Sequence, residues 1–152
     1  MRTNVAVEPG GPSGHLIRTR SETVMAAVGG PWPAKPVSAN HRAQWAAARR
    51  ALAPWREQVG MLARQVALPD TPVPCVVETK FRFPTDRRRD PHNFVAPQVK
   101  AMIDELVLAG WWPDDNPLWV TVAEPVLLVG RGLPPRWVLR AWPRRPAVPP
   151  AV

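Results

Sequence analysis

Two polar stretches of the chain combine residue types that could do chemistry on a charged molecule. The first is residues 87–93 (RRRDPHN), and the second, one helix length later, is residues 110–115 (GWWPDD). Clustered guanidinium groups attract phosphate, whereas clustered carboxylates repel each other and are kept ionised by a bound cation. A site that contains both groups favours a divalent metal together with a polyanion. These residue types are therefore typical of a metal-dependent nuclease.

The spacing of the two stretches permits them to form one site. About 16 residues of helix after Asp90, at 1.5 Å each, carry the chain away by roughly 24 Å. The segment 110–115 can retrace at most about 20 Å when it is extended. Asp114 or Asp115 can therefore return near Asp90 if this segment runs antiparallel to the helix. His92, two residues after Asp90, could face the same metal.

Lys100 lies on the predicted helix between the two stretches, where it could neutralise charge on a phosphorane-like transition state. Structural alternatives remain for each part. The arginines could form a solvated loop, and residues 114–117 (DDNP) are a good turn sequence. Lys100 and Asp104 are more often a surface i, i+4 pair, and a lone ring such as His92 is more often structural. The order of basic cluster, acid, helix, glycine and paired acids favours the shared site.

Composition agrees with a single basic domain. The 152 residues carry a net charge of +8, which fits a polyanionic partner such as nucleic acid. Cys75 is the only cysteine, so a thiolate metal cluster is excluded, and its apolar surroundings predict a buried structural thiol. No apolar run approaches the roughly 18 residues that span a membrane, and the first residues do not resemble a signal peptide. We expect a soluble, cytoplasmic protein.

The pattern of residues 23–142 predicts a small α+β domain, with a mixed or antiparallel sheet packed by helices. The elements of this domain must position the candidate site residues. Residues 1–22 have no apolar period and are predicted to be a disordered arm. Residues 143–152 are predicted to be a disordered tail rich in proline and arginine. We therefore expect one folded unit between two polar ends.

The first half of this domain predicts a strand followed by helix. The strand covers residues 24–28 and ends at residues 29–31 (GGP). A helix begins near His41, and Pro54 should break it or begin a second helix, because proline lacks an N–H and clashes with the preceding turn. An amphipathic helix then continues to about Val66.

The second half predicts three strands and a helix. Residues 75–83 predict a strand, and beyond Val77 its residues alternate between two faces, as in a half-buried strand. Asn93 could cap a helix whose apolar residues recur every three or four positions until Gly110 ends it. Residues 119–129 and 136–142 predict the remaining strands.

This ordered set of motifs resembles the RusA family of Holliday junction resolvases, which are small phage-derived endodeoxyribonucleases. The motifs are residues 87–93, residues 100–104 (KAMID) and residues 109–115 (AGWWPDD). Residues 35–42 (KPVSANHR) are similar to the family's N-terminal segment, and the whole resemblance covers about residues 24–142.

The resemblance implies a homodimeric α+β fold and a magnesium-dependent site that cuts paired strands of a four-way junction symmetrically. It implies catalytic acids at Asp90 and Asp115 and a catalytic lysine at Lys100. Family members carry a second acid at the position of His92. Histidine cannot supply the negative charge that hard Mg²⁺ favours. This departure would weaken metal binding, shift the preference toward Mn²⁺, or leave Asp114 to compensate.

Asp90 and Asp115 are thus the expected Mg²⁺ ligands, with His92 and Asp114 in support and Lys100 stabilising the transition state. A set of arginines is expected to hold the DNA backbone: Arg42, Arg49, Arg50, Arg87, Arg88 and Arg89. Two alternatives stay open. One is a non-catalytic protein that binds junction or duplex DNA, and the other is a basic scaffold or virion protein that binds nucleic acid through its arginine-rich surface and tails.

Overall fold

The structure is a computed structural model and describes residues 24–38, 45–90 and 95–145. The elements are β1 (Ala26–Pro31), α1 (Trp45–Ala63), β2 (Cys75–Phe83), α2 (Ala96–Leu108), β3 (Val120–Val122), β4 (Val126–Val129) and β5 (Arg136–Pro143). The expected small α+β domain with a mixed sheet is confirmed. Neither of the two helices in this part of the chain has the length and apolar character needed to cross a membrane.

β2 is the central strand, and its sequence explains that position. Every odd-numbered residue from Cys75 to Phe83 is buried, and every even-numbered residue is half-exposed. This period of two places one face on the core and the other toward solvent. The predicted bounds and the predicted burial of Cys75 are both confirmed.

The sheet is arranged around β2. β5 lies between β1 and β2 and is antiparallel to both. β3 and β4 both pair with β2 in parallel. Because β5 occupies one side of β2, β3 and β4 share the other side as two pieces of one interrupted edge strand.

The prediction of one continuous strand over residues 119–129 is therefore wrong. Pro125 lies in the interruption and has no N–H to donate to the ladder. Between the two paired segments β2 advances from residue 77 to 80 while its partner advances from residue 122 to 126, which is one extra residue. The interruption is therefore a bulge-like bend at the edge of the sheet.

α1 continues through Pro54, so the predicted break is wrong. A proline inside a helix costs about 3 kcal/mol because one hydrogen bond is lost. The next residue, Trp55, is fully buried, and its ring lies 6.0 Å from the ring of Phe81 and 6.5 Å from that of Trp137. We attribute the continuity of α1 to this packing, which holds the helix against the sheet directly after the proline.

α2 begins at Ala96, and its N-cap is Val95 without a side-chain bond. The prediction that Asn93 is the N-cap is wrong, and Asn93 itself lies outside the described residues. The predicted stop at Gly110 is confirmed by its φ of +87°. The N–H of Gly110 donates to the carbonyl of Val107 at 3.0 Å, and the N–H of Trp111 donates to Leu106 at 3.0 Å, which is a Schellman motif.

Other boundaries also differ from the predictions. β1 runs on to Pro31 instead of ending before residue 29, because both glycines stay paired with β5. α1 ends at Ala63, before Val66, and the predicted start near His41 lies outside the described residues.

The predicted tail is structured at its start. Pro143 is the last residue of β5, and the N–H of Arg144 donates to the carbonyl of Pro74 at 2.8 Å. The prediction of disorder from residue 143 onward is therefore wrong for these residues. Residues 146–152, like residues 1–23, are outside the described part of the chain.

Candidate functional site

Lys100 joins two acids that are distant in sequence. It projects from the exposed face of α2, and its Nζ donates to Asp104 Oδ1 at 2.6 Å. The same ammonium donates to Oδ2 of Asp115, fifteen residues further along the chain. The predicted i, i+4 pair is thus present, but its lysine also reaches the paired acids. The structure thus brings together Lys100 and Asp115, whereas the spacing argument concerned a return of Asp114 or Asp115 to Asp90.

The end of α2 directs Asp115 to this place. After the left-handed turn at Gly110, Trp111 and Trp112 turn inward and are almost fully buried. The indole N–H of Trp111 donates to the carbonyl of Ala63 at 3.2 Å, and that of Trp112 donates to Val73 at 2.9 Å. Two anchored rings therefore fix the start of the acidic loop.

The acidic loop also has the predicted turn chemistry. The N–H of Asp115 donates to Asp114 Oδ1 at 2.8 Å, and the amide of Asn116 donates to Asp114 Oδ2 at 2.7 Å. Asn116 Oδ1 accepts from the N–H of Leu118 at 2.9 Å, an Asx turn. Both oxygens of Asp114 serve the loop, so Asp115 is the acid that the loop presents to Lys100.

Charge reinforces this contact. The pKa of Lys100 is raised, first by its hydrogen bond to Asp104 and then by that to Asp115. The pKa of Asp115 is lowered, chiefly by the hydrogen bond from Lys100 and by its positive charge. Both partners are therefore charged near neutral pH. In such a pair the ionised carboxylate can bind a cation, and the ammonium beside it can donate to a phosphate oxygen.

Two shallow clefts open beside the Lys100–Asp115 pair. One of about 300 Å³ is also lined by Asp104 and Asp114. The other, of about 430 Å³, is lined on its far side by Glu124 in the bend between β3 and β4. Glu124 was missed at the level of sequence. The sequence feature that could have indicated it is Pro125 directly after Glu124. A proline within an apolar run predicts an interrupted edge strand, and Glu124 would then lie at the edge of the sheet.

Arg56 is a second residue that sequence analysis missed. It lies on α1 and reaches α2, where its Nη2 lies 3.3 Å from Asp104 Oδ2 and its Nη1 lies 3.1 Å from Glu105 Oε1. Nothing in the local sequence marks it, because its partners are nearly fifty residues away. Asp104 thus connects Arg56 to Lys100.

The structure does not bring Asp90, another predicted metal ligand, into either cleft. Asp90 is exposed. His92 lies outside the described residues. Across residues 24–38, 45–90 and 95–145, no three His, Cys, Asp or Glu side chains form a group that could hold a metal. Asp114 and Asp115 offer the hard oxygen donors that Mg²⁺ prefers, but they supply only part of a coordination shell.

The predicted arginines have different environments. Arg89 is used internally: its Nη1 donates to the carbonyl of Thr85 at 2.9 Å, and its guanidinium lies 4.0 Å from the ring centroid of Phe83. Burial lowers the pKa of Arg89, and the neighbouring charge of Arg87 lowers it further. Arg87 and Arg88 are exposed.

The loop that carries Arg87, Arg88 and Arg89, here called the arginine loop, lines part of a basic cleft. This cleft of about 800 Å³ has Arg87, Arg88, Arg89 and Lys35 in its lining, over an apolar floor that includes Trp32. None of the described residues that line it is acidic. Such a surface attracts phosphate.

The remaining predicted arginines lie on or before α1. Arg49 and Arg50 are exposed on that helix. Arg42 is outside the described residues.

Comparisons with known proteins leave the site to be interpreted from its own chemistry. No model of a protein family matches the chain. A search of curated protein sequences finds no match either.

Proposed function

We propose that this protein is a metal-dependent, structure-specific endonuclease that cuts four-way DNA junctions, in the manner of the RusA family that its motifs resemble. The observation that carries the proposal is the contact between Lys100 and Asp115. The resemblance implies a catalytic lysine and a catalytic acid at these two positions. Their contact across fifteen residues supports the proposal independently of the motif pattern.

In this proposal Asp115 and Asp90 would hold Mg²⁺ or Mn²⁺, with His92 and Asp114 in support. When bound, such an ion polarises a scissile phosphate and activates water. The residues of the chain do the rest. Asp115 stays ionised beside Lys100, and the Lys100 ammonium can donate to a phosphate oxygen on which negative charge develops. The bond to Asp104 leaves Lys100 anchored while it does so.

The arginine loop would hold the phosphate backbone of the junction arms. Arg87 and Arg88 are exposed beside Lys35 in the basic cleft, and Arg49 and Arg50 extend the positive surface along α1. Four-way junctions share geometry and not sequence, so recognition by charge and shape is the appropriate mode. A homodimer would place two sites on one junction, which symmetric cleavage requires, and we propose that state and a cytoplasmic location with the function.

The first test is cleavage of a labelled synthetic four-way junction in EDTA, Mg²⁺ and Mn²⁺. We expect paired symmetric nicks that need the metal. Asp90→Asn should abolish cleavage while junction binding survives or tightens, because a repelling charge is removed. Asp86→Asn is the matched control, since Asp86 is an exposed acid on the same loop that pairs with Arg131 at 3.0 Å. This variant should cut as the wild type does.

Other outcomes would point elsewhere. Activity with Mn²⁺ alone would indicate that His92 changes the metal preference. Tight binding without nicks in any metal would favour the non-catalytic junction binder. Loss of binding on removal of residues 1–22 and 146–152 would favour the basic scaffold. The truncation must spare Arg144, because its backbone and side chain bond to the domain.

A further inference from the structure

We propose that Asp104, held by Arg56, is the positioning residue that keeps the Lys100 ammonium beside Asp115, where the two shallow clefts open. The inference rests on the proposed nuclease function, since it assigns how the lysine of that site is oriented. It goes beyond that function because it assigns roles to Asp104 and to Arg56 on the other helix.

The two oxygens of Asp104 have different partners. Oδ1 accepts from Lys100 at 2.6 Å, and Oδ2 lies 3.3 Å from Nη2 of Arg56. A carboxylate that is bound through one oxygen alone can rotate toward water. Here the second oxygen is engaged as well, so the orientation of the Asp104 carboxylate is constrained from both sides.

Arg56 is itself constrained. Its second terminal nitrogen, Nη1, lies 3.1 Å from Glu105 Oε1. The guanidinium is planar and presents its donors as a rigid fork. Two adjacent acids of α2 therefore hold one arginine of α1, and the arginine holds Asp104 in place.

The helices are close together at this point. A Cβ added to Gly60, one turn after Arg56, would lie 3.1 Å from Glu105 Oε2. A glycine at that position lets α1 approach the acids of α2. The ion pairs thus lie in a tight helix–helix contact, unlike an isolated i, i+4 pair on an open surface.

The Lys100 side chain requires such anchoring because a long, exposed lysine side chain is flexible. A lysine side chain has about 2 kcal/mol of rotamer entropy, and 63% of the Lys100 side chain is exposed. Asp115 is a poor sole anchor, because the proposed function engages its carboxylate with a metal. Asp104 is on the same helix as Lys100 and keeps its hold when Asp115 has another partner. Groups positioned by helices are held more rigidly than groups on loops.

The test measures the mobility of the Lys100 side chain directly and does not depend on enzymatic activity. The chain has three lysines, Lys35, Lys80 and Lys100. Labelling lysine with ¹³C at the ε-carbon therefore gives three NMR signals, whose relaxation reports side-chain mobility. We expect the Lys100 signal to show restricted motion in the wild type and fast motion in Asp104→Asn.

Three further variants sharpen the result. Arg56→Gln should loosen Lys100, and Arg56→Lys should restore part of the restriction because it keeps the charge. Glu57→Gln is the control, because it removes an exposed acid next to Arg56 in the sequence. This variant should leave the Lys100 signal unchanged. An Lys100 signal that is equally restricted in Asp104→Asn and in the wild type, with folding verified by circular dichroism, would overturn the proposal. If Asp104→Asn does not fold, the Arg56 pair of variants decides the question.

Activity then separates this inference from the proposed function. On a four-way junction with Mg²⁺ or Mn²⁺, Asp104→Asn should lower kcat by about tenfold to a hundredfold, as misplacement of a catalytic group does, with KM nearly unchanged. Restricted Lys100 motion in a protein that cuts no DNA would refute the nuclease and leave the positioning intact. A Lys100 signal in Asp104→Asn that is as restricted as in the wild type, together with an unchanged kcat, would refute the positioning and leave the nuclease.

Discussion

Replacing Gly110 by alanine tests the turn that directs the acidic loop to Lys100. Gly110 has a φ of +87°, a left-handed conformation at the end of α2. A Cβ built on Gly110 meets no atom within 4 Å. In the folded state the substitution therefore adds backbone strain and changes no packing contact, which makes its effect on stability simple to calculate.

The magnitude follows from two opposing terms. An L-residue in the left-handed conformation costs about 1–2 kcal/mol. Alanine also restricts the unfolded chain, which returns about 0.4–1 kcal/mol. We expect a net loss of about 1 kcal/mol in the free energy of unfolding. In a chain of this size, that loss lowers Tm by about 2–4 °C.

The assay is urea unfolding followed by circular dichroism and tryptophan fluorescence. Gly132→Ala is the matched control, because Gly132 has a φ of +73° and equally open space, in a loop far along the chain from the acids. It should cost about the same. Gly110→Asn should cost less than Gly110→Ala, since asparagine tolerates this conformation. If Gly110→Ala is as stable as the wild type, the helix does not end in the described turn and the path to Asp115 is wrong.

Two further predictions concern charge and the buried thiol. A double-mutant cycle of Lys100→Met and Asp115→Asn should give a coupling energy of no more than about 1 kcal/mol near pH 7, because the Lys100 side chain is exposed and the Asp115 side chain is partly exposed. The pKa of Lys100 is raised, so this coupling is lost as pH rises through that pKa. The pKa of Asp115 is lowered, so the coupling is also lost as pH falls through that pKa. A coupling energy that does not change with pH would contradict the pairing. Burial raises the pKa of the Cys75 thiol, so a thiol reagent should react far more slowly with the native protein than in urea, and equal rates would refute its burial.

The elements that sequence predicted well are those whose signals are local. The burial of β2 has a period of two over nine residues, and its charged residues Glu78, Lys80 and Arg82 all lie on the half-exposed face. The end of α2 carries a glycine that no other residue type replaces without strain. In both cases the neighbouring residues alone decide the conformation.

The predictions that failed depend on partners distant in sequence. Pro54 breaks a helix on local grounds, but Trp55 beside it packs against Phe81 and Trp137 and keeps α1 continuous. The apolar run after Trp119 looks like one strand, and only its pairing with β2 shows the extra residue near Pro125. Tertiary contacts decided both outcomes.

The candidate site divides in the same way. Chain length alone permitted Asp115 to return toward the helix, and the structure brings it to Lys100. The link from Asp104 to Arg56 crosses between helices and leaves no trace in either local sequence. Which oxygens of Asp114 serve the turn also depends on side-chain geometry that a sequence does not encode.

The position of β5 has a consequence for how the chain reaches its fold. β5 is the last strand of the described chain, yet it lies between β1 and β2 and completes the sheet. β1 pairs with residues about 110 positions away, and such non-local pairing slows folding because loop closure must precede it. During synthesis, β1 and β2 each present an unpaired edge until residues 136–143 leave the ribosome. The nascent domain is therefore most exposed to misassociation just before its final strand is inserted.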